Sequence, residues 1–294
     1  FLSYDYDTNN FKTDENGAII YIDREYDIDY FGEKSSLQRL NELIGINSIK
    51  NDVEEFIAVA QMNKLREEQG LEGSLMSLHS LFLGNPGTGK TTVARIIGEI
   101  LYEENVISKE VFIEVSRADL VAEYVGQTAP KTNKVLQSAL GGVLFIDEAY
   151  SLSRGGAGDF GLEAINEILS FMENHRDDIV IIFAGYTDDM NEFLKTNSGL
   201  ISRIPNIFDF PDYTIDELIQ IGLINIYQQK YQVNEEAYRD LVYNNYEHSY
   251  DQSNGRWIRN LNDQIIRRMA IRIMGAKNCD VTKILDEDLH TLMI

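Results

Sequence analysis

The segment Gly84–Thr91 constrains the fold of this chain more than any other. It reads G-x-x-x-x-G-K-T, follows the apolar run Leu81–Leu83 and precedes the helical pattern of Thr92–Ile97. Glycines let successive backbone N–H groups curl around phosphate oxygens, and a helix N-terminus adds a positive partial charge. We therefore predict a phosphate-binding loop between a strand and a helix. The residues expected to hold the ligand are Asn85, Pro86, Gly87, Thr88, Gly89, Lys90, Thr91 and Thr92.

Two carboxylates follow a second apolar strand. The run Gly142–Ile146 leads directly into Asp147 and Glu148, and hydrophobic residues in series indicate a strand buried on both faces. Ligands of open α/β sheets bind at the carboxyl ends of the strands, so both carboxylates are expected beside the phosphate loop. There Lys90 would reach the phosphates, while Thr91 and Asp147 would hold Mg²⁺. Glu148 would polarise the attacking water. The alternative is an acidic pair at a surface turn.

The order of the predicted elements indicates an α/β fold. Strand-like runs alternate with amphipathic helices from about Leu37 onward, which is typical of a parallel sheet. The five predicted strands are Ser77–Leu83, Val111–Val115, Gly142–Asp147, Ile179–Ala184 and Ile207–Phe210. After Pro211 only helical patterns follow, namely Ile215–Gln232, Glu235–His248 and Arg256–Met274. We expect an α/β domain over residues 37–211 and a smaller, all-helical domain over residues 212–294.

Residues 1–36 have a different character, rich in Tyr, Asp and Asn. The pair Asn16-Gly17 is a hairpin turn signal, and Ala18–Ile22 is the better strand beside it. We expect a short β element here, serving as an adapter or the remnant of a preceding domain, with a dedicated binding site as the lesser alternative. Because the chain opens on Phe1 instead of Met, we expect it to begin inside a longer protein.

The charge of the chain narrows the possible function classes. Lys and Arg number 26 against 48 Asp and Glu, a formal net charge of −22. Such a charge repels phosphate backbones and anionic lipid heads, so we expect no nucleic-acid partner. No apolar run approaches the roughly 18 residues of a membrane span, and the opening residues lack the pattern of a signal peptide. We therefore expect no membrane insertion.

Cysteine and histidine add little chemistry. The single cysteine, Cys279, fits a reducing compartment, and a cytoplasmic location is the expectation. The four histidines, His79, His175, His248 and His290, form no metal-ligand pattern. Mg²⁺ is therefore the only metal that we expect.

Three segments together resemble the motifs of the AAA+ ATPases. They are Gly84–Thr92, Ala118–Thr132 and Gly142–Tyr150. Within this family they are similar to the clade of the red-type rubisco activase CbbX, the stage V sporulation protein K and the type VII secretion ATPase. The resemblance covers about residues 40–275. Shorter segments agree with it: Met172–Asn174, Ala184–Tyr186, Ser202–Ile204, Asp209–Tyr213 and Gly255–Arg256.

The resemblance implies a fold, two cofactors and an assembly. The fold would be a P-loop AAA+ module, a five-stranded parallel sheet flanked by helices, with a helical lid. ATP and Mg²⁺ would bind between the two domains and a neighbouring copy of the chain, in a homo-oligomeric, hexameric ring. Arg203 occupies the place of the arginine finger that serves the neighbour's site. Arg256 matches the sensor 2 position on the lid, and Arg259 is a weaker candidate. Alone, each arginine would be assigned to a surface ion pair.

The same resemblance assigns two further positions. Tyr124, Val125 and Gly126 fit the aromatic–hydrophobic–Gly pore loop with which the family grips a polypeptide. An aromatic ring offers apolar contact at low entropy cost, and the glycine allows the loop to move. Ile44 and Gly45 match the place where the family packs the adenine.

The chain also departs from the family pattern. Many members carry Asn after the fourth strand, at the position called sensor 1, whereas this chain reads Ala184–Thr187. Tyr186 or Thr187 would have to position the water there. The Gly-rich segment Arg154–Gly158 is either a loop that faces the pore or the neighbour, or an inert connection.

These observations favour a Mg²⁺-dependent ATPase motor that assembles as a ring and remodels a protein client in its central pore. A second hypothesis is an ATP-gated scaffold or regulator that assembles without threading. A third is a DNA-handling AAA+ protein. The charge of −22 argues against the third hypothesis. The intact Asp147-Glu148 pair argues against a scaffold that does not hydrolyse ATP, but not against a regulator that hydrolyses it slowly.

Overall fold

The computed structural model describes residues 4–5, 10–11, 34–71, 77–155, 159–275 and 280–289. Two short antiparallel strands, β1 (Tyr4–Asp5) and β2 (Asn10–Phe11), come first. Five parallel strands then form one sheet: β3 (Ser80–Gly84), β4 (Phe112–Val115), β5 (Val143–Ile146), β6 (Val180–Gly185) and β7 (Asn206–Phe210). They lie side by side in the order β4-β5-β6-β3-β7. The prediction of a five-stranded parallel sheet is confirmed.

Helices cover both faces of this sheet. They are α1 (Ser36–Glu42), α2 (Asn47–Glu68), α3 (Lys90–Glu103), α4 (Arg117–Leu120), α5 (Thr128–Ser138), α6 (Gly161–Asn174), α7 (Thr187–Thr196) and α8 (Ser198–Arg203). Successive side chains of a strand point to opposite faces. Phe82 therefore packs with α1, α2 and α3, whereas Leu81 packs in the second core with α5 to α8. Burial on both faces explains the uninterrupted apolar sequence of the central strands.

A helical lid follows the sheet. Its helices are α9 (Ile215–Gln228), α10 (Glu235–Tyr246), α11 (Gly255–Met274) and α12 (Asp286–Leu289). Thr214 starts α9 with a capping box, because its hydroxyl accepts from the N–H of Glu217 while the Glu217 carboxylate accepts from Thr214. Trp257 and Tyr238 fill the lid core. Tyr213 packs against both the lid core and one core of the α/β domain.

The predicted element ends shift by a few residues. The first predicted strand was expected from Ser77, but the N–H of His79 donates to Ser77 Oγ (3.2 Å), so β3 begins at Ser80. The first lid helix was expected to reach Gln232 and ends at Gln228, because Lys230 takes a left-handed conformation (φ +64°). A helix cannot continue through that backbone conformation.

The amino-terminal β element is present as β1 and β2. The predicted turn at Asn16-Gly17 and the strand Ala18–Ile22 lie outside the described residues. Cys279, His290 and residues 156–158 of the predicted Gly-rich loop also lie outside them. Within the part of the chain that the structure describes, no helix combines the length and the apolar character needed to cross a membrane.

His79 is a titratable group built into the sheet. It is 1% exposed, and its Nδ1 accepts a hydrogen bond from the N–H of Ile181 in β6 (3.1 Å). Burial lowers the pKa of this imidazole from 6.5 to about 4. The folded protein therefore keeps His79 neutral at a pH where the unfolded chain binds a proton.

We predict a stability loss that begins below pH 6.5, where unfolded His79 takes up its proton, and continues down to about pH 4, the folded pKa. The full effect is about 3 kcal/mol. His79→Gln keeps an acceptor for Ile181 and should flatten this part of the pH dependence, measured as urea midpoints between pH 7.5 and pH 4.5. His248→Gln, at an exposed position, should behave like the wild type. Equal slopes in both variants would contradict the burial argument.

Candidate functional site

The carboxyl ends of β3, β5 and β6 meet at one edge of the sheet. A cleft of about 430 Å³ opens there. It is bounded by the sheet edge, the first turn of α3, the segment 43–46 before α2, and the lid helices α9 and α11. Since β6 lies between β3 and β5, the loops that follow these three strands converge on the cleft. This is the edge at which the sequence places the ligand.

The phosphate loop connects β3 to α3. Gly87 (φ +73°) and Gly89 (φ +94°) adopt left-handed backbone conformations, which glycine tolerates without a steric penalty. No described group accepts a hydrogen bond from the backbone N–H groups of residues 87–90. Unpaired N–H groups in a loop that opens a helix form a binding site for an anion. The loop therefore fits a polyphosphate.

Lys90 supplies the main positive charge of the loop. Its Nζ donates to the carbonyl oxygens of Gly84 (2.8 Å) and Asn85 (2.7 Å). Burial lowers the pKa of Lys90 to about 8, the carboxylate of Asp147 raises it, and the guanidinium of Arg256 lowers it. The amine remains mainly protonated at neutral pH and can interact with an anionic ligand.

The carboxylate pair stands at the end of β5. Asp147 donates its N–H to the carbonyl oxygen of Val115 (2.8 Å), and the N–H of Glu148 donates to Asp147 Oδ1 (3.0 Å). Glu148 has a left-handed backbone (φ +46°), which costs a non-glycine residue about 1 kcal/mol or more. This conformation turns the chain sharply after Asp147. Both residues line the cleft.

The described oxygen donors in the cleft suit a magnesium ion that is also bound by phosphates and water, and do not form a site built from protein ligands alone. Thr91 and Asp147 line the same cleft, and the described residues contain no group of three His, Cys, Asp or Glu side chains that could hold a metal ion. Mg²⁺ is commonly bound through one or two protein oxygens together with substrate phosphates and water. These residues match that requirement.

The other end of the cleft is apolar. Leu43, Ile44 and Ile46 line it from the segment before α2, and Tyr213 and Ile221 line it from the lid. An apolar slot beside a phosphate loop suits a nucleobase.

Other residues shape this apolar end. Gly45 (φ +64°) turns toward the lid, where a Cβ would lie 2.5 Å from Glu217 Oε1. Tyr213, Ile221 and the polar Asn225 also line the cleft, but they are not among the site residues predicted from the sequence. Ile221 and Asn225 lie four residues apart on α9, so their spacing is consistent with one shared helix face.

Two arginines of α11 also reach the cleft. Arg256 and Arg259 both line it, because the amino-terminal end of α11, which carries them, lies beside the cleft. No hydrogen bond or ion pair joins Arg256 to another described side chain. Of the two sensor 1 candidates, Tyr186 lines the cleft and packs against Tyr150 (ring centroids 5.6 Å apart), whereas Thr187 does not line it.

Several predicted residues lie outside the cleft lining. The side chain of Asn85 donates to Asp212, and Thr88 is fully buried with its Oγ1 donating to the carbonyl oxygen of Asn85 (2.9 Å). Both shape the loop. Arg203 lies at the amino-terminal edge of the sheet, where Nη2 pairs with Glu173 (2.8 Å). It lines a separate cavity of about 240 Å³.

The Tyr124–Gly126 segment lies on the surface. The Tyr124 side chain is 66% exposed and that of Val125 is 84% exposed. A Cβ added at Gly126 (φ +76°) would meet none of the described atoms within 4 Å. A second cavity, of about 540 Å³, is lined by Ala122 and Glu123, just before this segment, and also by Asp147 and Glu148. The carboxylate pair therefore borders both the cleft and the base of the exposed loop.

Comparisons with known proteins agree with this architecture. The sequence matches the ATPase family associated with various cellular activities (AAA) over residues 80–212 and the AAA lid domain over residues 214–293. It is 44% identical to stage V sporulation protein K of Bacillus subtilis, over 81% of this chain and 75% of that protein. It is 47% identical to a chloroplastic ribulose bisphosphate carboxylase/oxygenase activase of Cyanidioschyzon merolae, over 82% of this chain and 84% of that protein.

Solved structures share the fold at lower identity. The RuvB Holliday junction branch migration motor of Thermotoga maritima aligns with a TM-score of 0.58 at 20% identity, covering 85% of this chain and 69% of that chain. The AAA domain of FIGL-1 in complex with ADP aligns with a TM-score of 0.60 at 16% identity, covering 86% and 83%. Identities this low show the common fold alone.

Gly87 and Gly70 form a matched pair for testing the loop. Both have a positive φ (+73° and +70°), but a Cβ at Gly70 meets no atom of the described residues within 4 Å, whereas one at Gly87 would lie 2.2 Å from the carbonyl oxygen of Ser253. Each alanine variant should lose about 1 kcal/mol to backbone strain. Only Gly87→Ala should also weaken ADP binding, by about tenfold or more, because the loop and lid must separate. Calorimetric ADP titration checks this, and equal affinities in the two variants would contradict the observed loop–lid contact.

Proposed function

This chain belongs to the AAA family of ATPases, and from that membership we propose that it is a ring-forming motor that remodels a protein client drawn through its central pore. ATP hydrolysis is the activity of the family, with ATP and Mg²⁺ as cofactors. The observation that carries the motor proposal is the cavity shared by the carboxylate pair and the base of the exposed Tyr124–Gly126 loop. We assign residues 37–211 to the ATPase domain and 212–294 to its lid.

In this proposal the cleft binds the nucleotide with its phosphates at the α3 end. Ile44 and the neighbouring apolar residues pack the base. The free N–H groups of residues 87–90 and the amine of Lys90 bind the phosphates. Thr91 and Asp147 hold the cation. Bound magnesium-ATP would supply the phosphoryl group that is transferred to water, and the metal charge would neutralise negative charge on the phosphates.

The reaction itself requires an oriented water and charge compensation. Glu148 lies next to Asp147 at the end of β5, where its carboxylate can accept a proton from water. Tyr186, from the neighbouring strand end, orients that water. Arg256 lines the cleft from the lid and compensates negative charge that develops on the phosphates. These three groups come from three separate elements, so the lid must be seated for the site to be complete.

Arg203 supports a ring because it cannot serve its own cleft. It lies in a different cavity, at the opposite edge of the sheet, and pairs there with Glu173. An arginine that reaches a neighbouring active site couples hydrolysis to assembly. We therefore propose that Arg203 completes the site of the next copy of the chain, and that six copies close the ring.

The exposed loop gives the ring a contact for its client. Tyr124 presents a large aromatic surface, which suits many different polypeptide side chains. The cavity beside Glu148 extends to Ala122 and Glu123, which gives a short physical route from hydrolysis to loop movement. A client with a phosphate backbone is disfavoured, because the chain carries a net charge of −22.

Glu148→Gln should bind ATP with an affinity within about threefold of the wild type and hydrolyse it about 100-fold more slowly or worse, because the proton acceptor is lost. ATP-bound oligomers should accumulate, which light scattering after gel filtration would detect. Glu110→Gln, at an exposed position away from the cleft, serves as the control and should keep wild-type turnover. Rapid hydrolysis by Glu148→Gln would refute the base role, and a monomer under ATP would refute the ring.

Tyr124→Ala should keep basal ATPase activity within about twofold but lose client remodelling, since aromatic contacts contribute most to such a grip. Proteins retained by ATP-bound Glu148→Gln oligomers provide the clients, and their protease sensitivity reports remodelling. Tyr124→Phe should keep the activity. Tyr250→Ala, at a fully exposed tyrosine elsewhere on the lid, is the matched control. Unchanged remodelling in Tyr124→Ala would exclude the pore-loop role.

A further inference from the structure

The phosphate loop has two sides, and the lid occupies one of them. The N–H groups of residues 87–90 have no described partner, whereas three carbonyl oxygens of the loop accept hydrogen bonds from the lid side. Pro86 accepts from Asn254 Nδ2 (3.3 Å), and Gly87 accepts from the N–H of Gly255 (3.0 Å). Thr88 accepts from the hydroxyl of Tyr213 (3.2 Å). Residues of the lid thus hold the loop on its carbonyl side.

Asn254 lies at the centre of this arrangement and is fully buried. Its Nδ2 donates to Asp212 Oδ1 (2.8 Å), and its Oδ1 accepts from the N–H of Tyr213 (2.9 Å). Asp212 in turn accepts from Nδ2 of Asn85 in the phosphate loop (2.9 Å). We call these four residues, Asn85, Asp212, Tyr213 and Asn254, the junction network.

The backbone of Asn254 is unusual for a residue with a side chain. It has φ +53° and ψ −124°, a region in which glycine is favoured and other residues are strained. Strained backbone persists where surrounding contacts compensate it. Here the amide makes those contacts, and the chain then enters α11, which carries Arg256 in its first turn. The side chain of Asn254 therefore fixes the position at which α11 begins.

We propose that Asn254 is a positioning residue that couples the phosphate loop to the lid, by seating the first turn of α11 so that Arg256 faces the bound phosphates. This inference rests on the proposed nucleotide site. A nucleotide that fixes the conformation of the loop through its N–H groups also fixes the positions of its carbonyl oxygens. The junction network, which binds those oxygens, then holds the first turn of α11 in place. Such coupling is reciprocal, so the seating of the lid also strengthens phosphate binding.

The chain contains its own reporter for this movement. Trp257 is its single tryptophan and directly follows Arg256. Its ring packs edge-on against Tyr246 (centroids 4.8 Å apart), and its Nε1 donates to Ser249 Oγ (3.2 Å). Tryptophan emission, excited at a wavelength that tyrosine does not absorb, therefore reports on the first turn of α11 and on its contacts with Tyr246 and Ser249.

The test measures how much Arg256 contributes to binding with and without Asn254. The ligand is a non-hydrolysable ATP analogue, adenylyl imidodiphosphate, with MgCl₂, followed by calorimetry and by Trp257 emission. In the wild-type background Arg256→Ala should weaken binding about tenfold or more, as expected for a charge-assisted contact. In the Asn254→Gly background the same substitution should weaken it by less than about threefold, because Arg256 is no longer seated. Glycine accepts the backbone conformation, so the variant removes the amide without adding strain.

Asn262→Ala is the matched structural control. Asn262 is a second buried asparagine, within α11, but its Oδ1 accepts from the hydroxyl of Tyr238 (2.6 Å) and its Nδ2 donates to the carbonyl oxygen of Gly222 (2.9 Å), both within the lid. This variant should lower stability and keep the full Arg256 effect and the emission change on ligand binding. A similar loss of the Arg256 effect in both variants would overturn the proposal, because general lid destabilisation would then explain the result.

Asn254→Asp gives a second test that does not depend on Asn254→Gly. A carboxylate at this position cannot donate to the carbonyl oxygen of Pro86 or to Asp212, and it places two carboxylates side by side. This variant should therefore also reduce the Arg256 effect to less than about threefold. A full tenfold Arg256 effect in Asn254→Asp would overturn the proposal.

Lys90→Ala tests the proposed nucleotide site independently of the role of Asn254. It should abolish analogue binding, and unchanged binding would overturn the nucleotide site and the inference with it. If Lys90→Ala behaves as expected while Asn254→Gly keeps the tenfold Arg256 effect, only the inference fails.

Discussion

The phosphate loop imposes one requirement on its surroundings. Its N–H groups must stay free for an anion, so its carbonyl oxygens must find partners on the opposite side. The lid supplies those partners through Asn254, Gly255 and Tyr213. The loop is therefore held between the sheet edge, which sets its starting point at Gly84, and the lid, which determines its outer surface. The position of the lid therefore helps to determine the shape of the phosphate-binding loop.

Charge distribution sharpens the selectivity of this site. The chain carries a net charge of −22, yet Lys90, Arg256 and Arg259 all line one cleft. Partial burial makes the positive charge of Lys90 effective, since fewer waters screen it. A small polyphosphate with its metal therefore meets three cationic side chains in this cleft.

Local sequence patterns predicted the parts of the fold and site that depend on local chemistry. The five strands followed from their apolar runs, and the phosphate loop and the Asp147-Glu148 pair from their spacing and flanks. The junction network had no such signal, because the contacts of Tyr213 and Asn254 with the loop span 125 and 168 residues. The left-handed backbone conformation of Glu148 could not be predicted from the sequence either, because only tertiary packing holds a glutamate in that conformation. The side chain of Asn85 was equally unpredictable, since it binds Asp212, which lies 127 residues further along the chain.

The two contacts of Tyr213 influence how the protein unfolds. Its ring packs against both the lid core and one core of the α/β domain, and burial raises the pKa of its hydroxyl to about 12. A residue shared by two cores makes the packing of each depend on the other. Melting either core removes the apolar contacts that Tyr213 makes there, which favours unfolding of the two units together. Tyr213 therefore links the stability of the lid to that of the α/β domain.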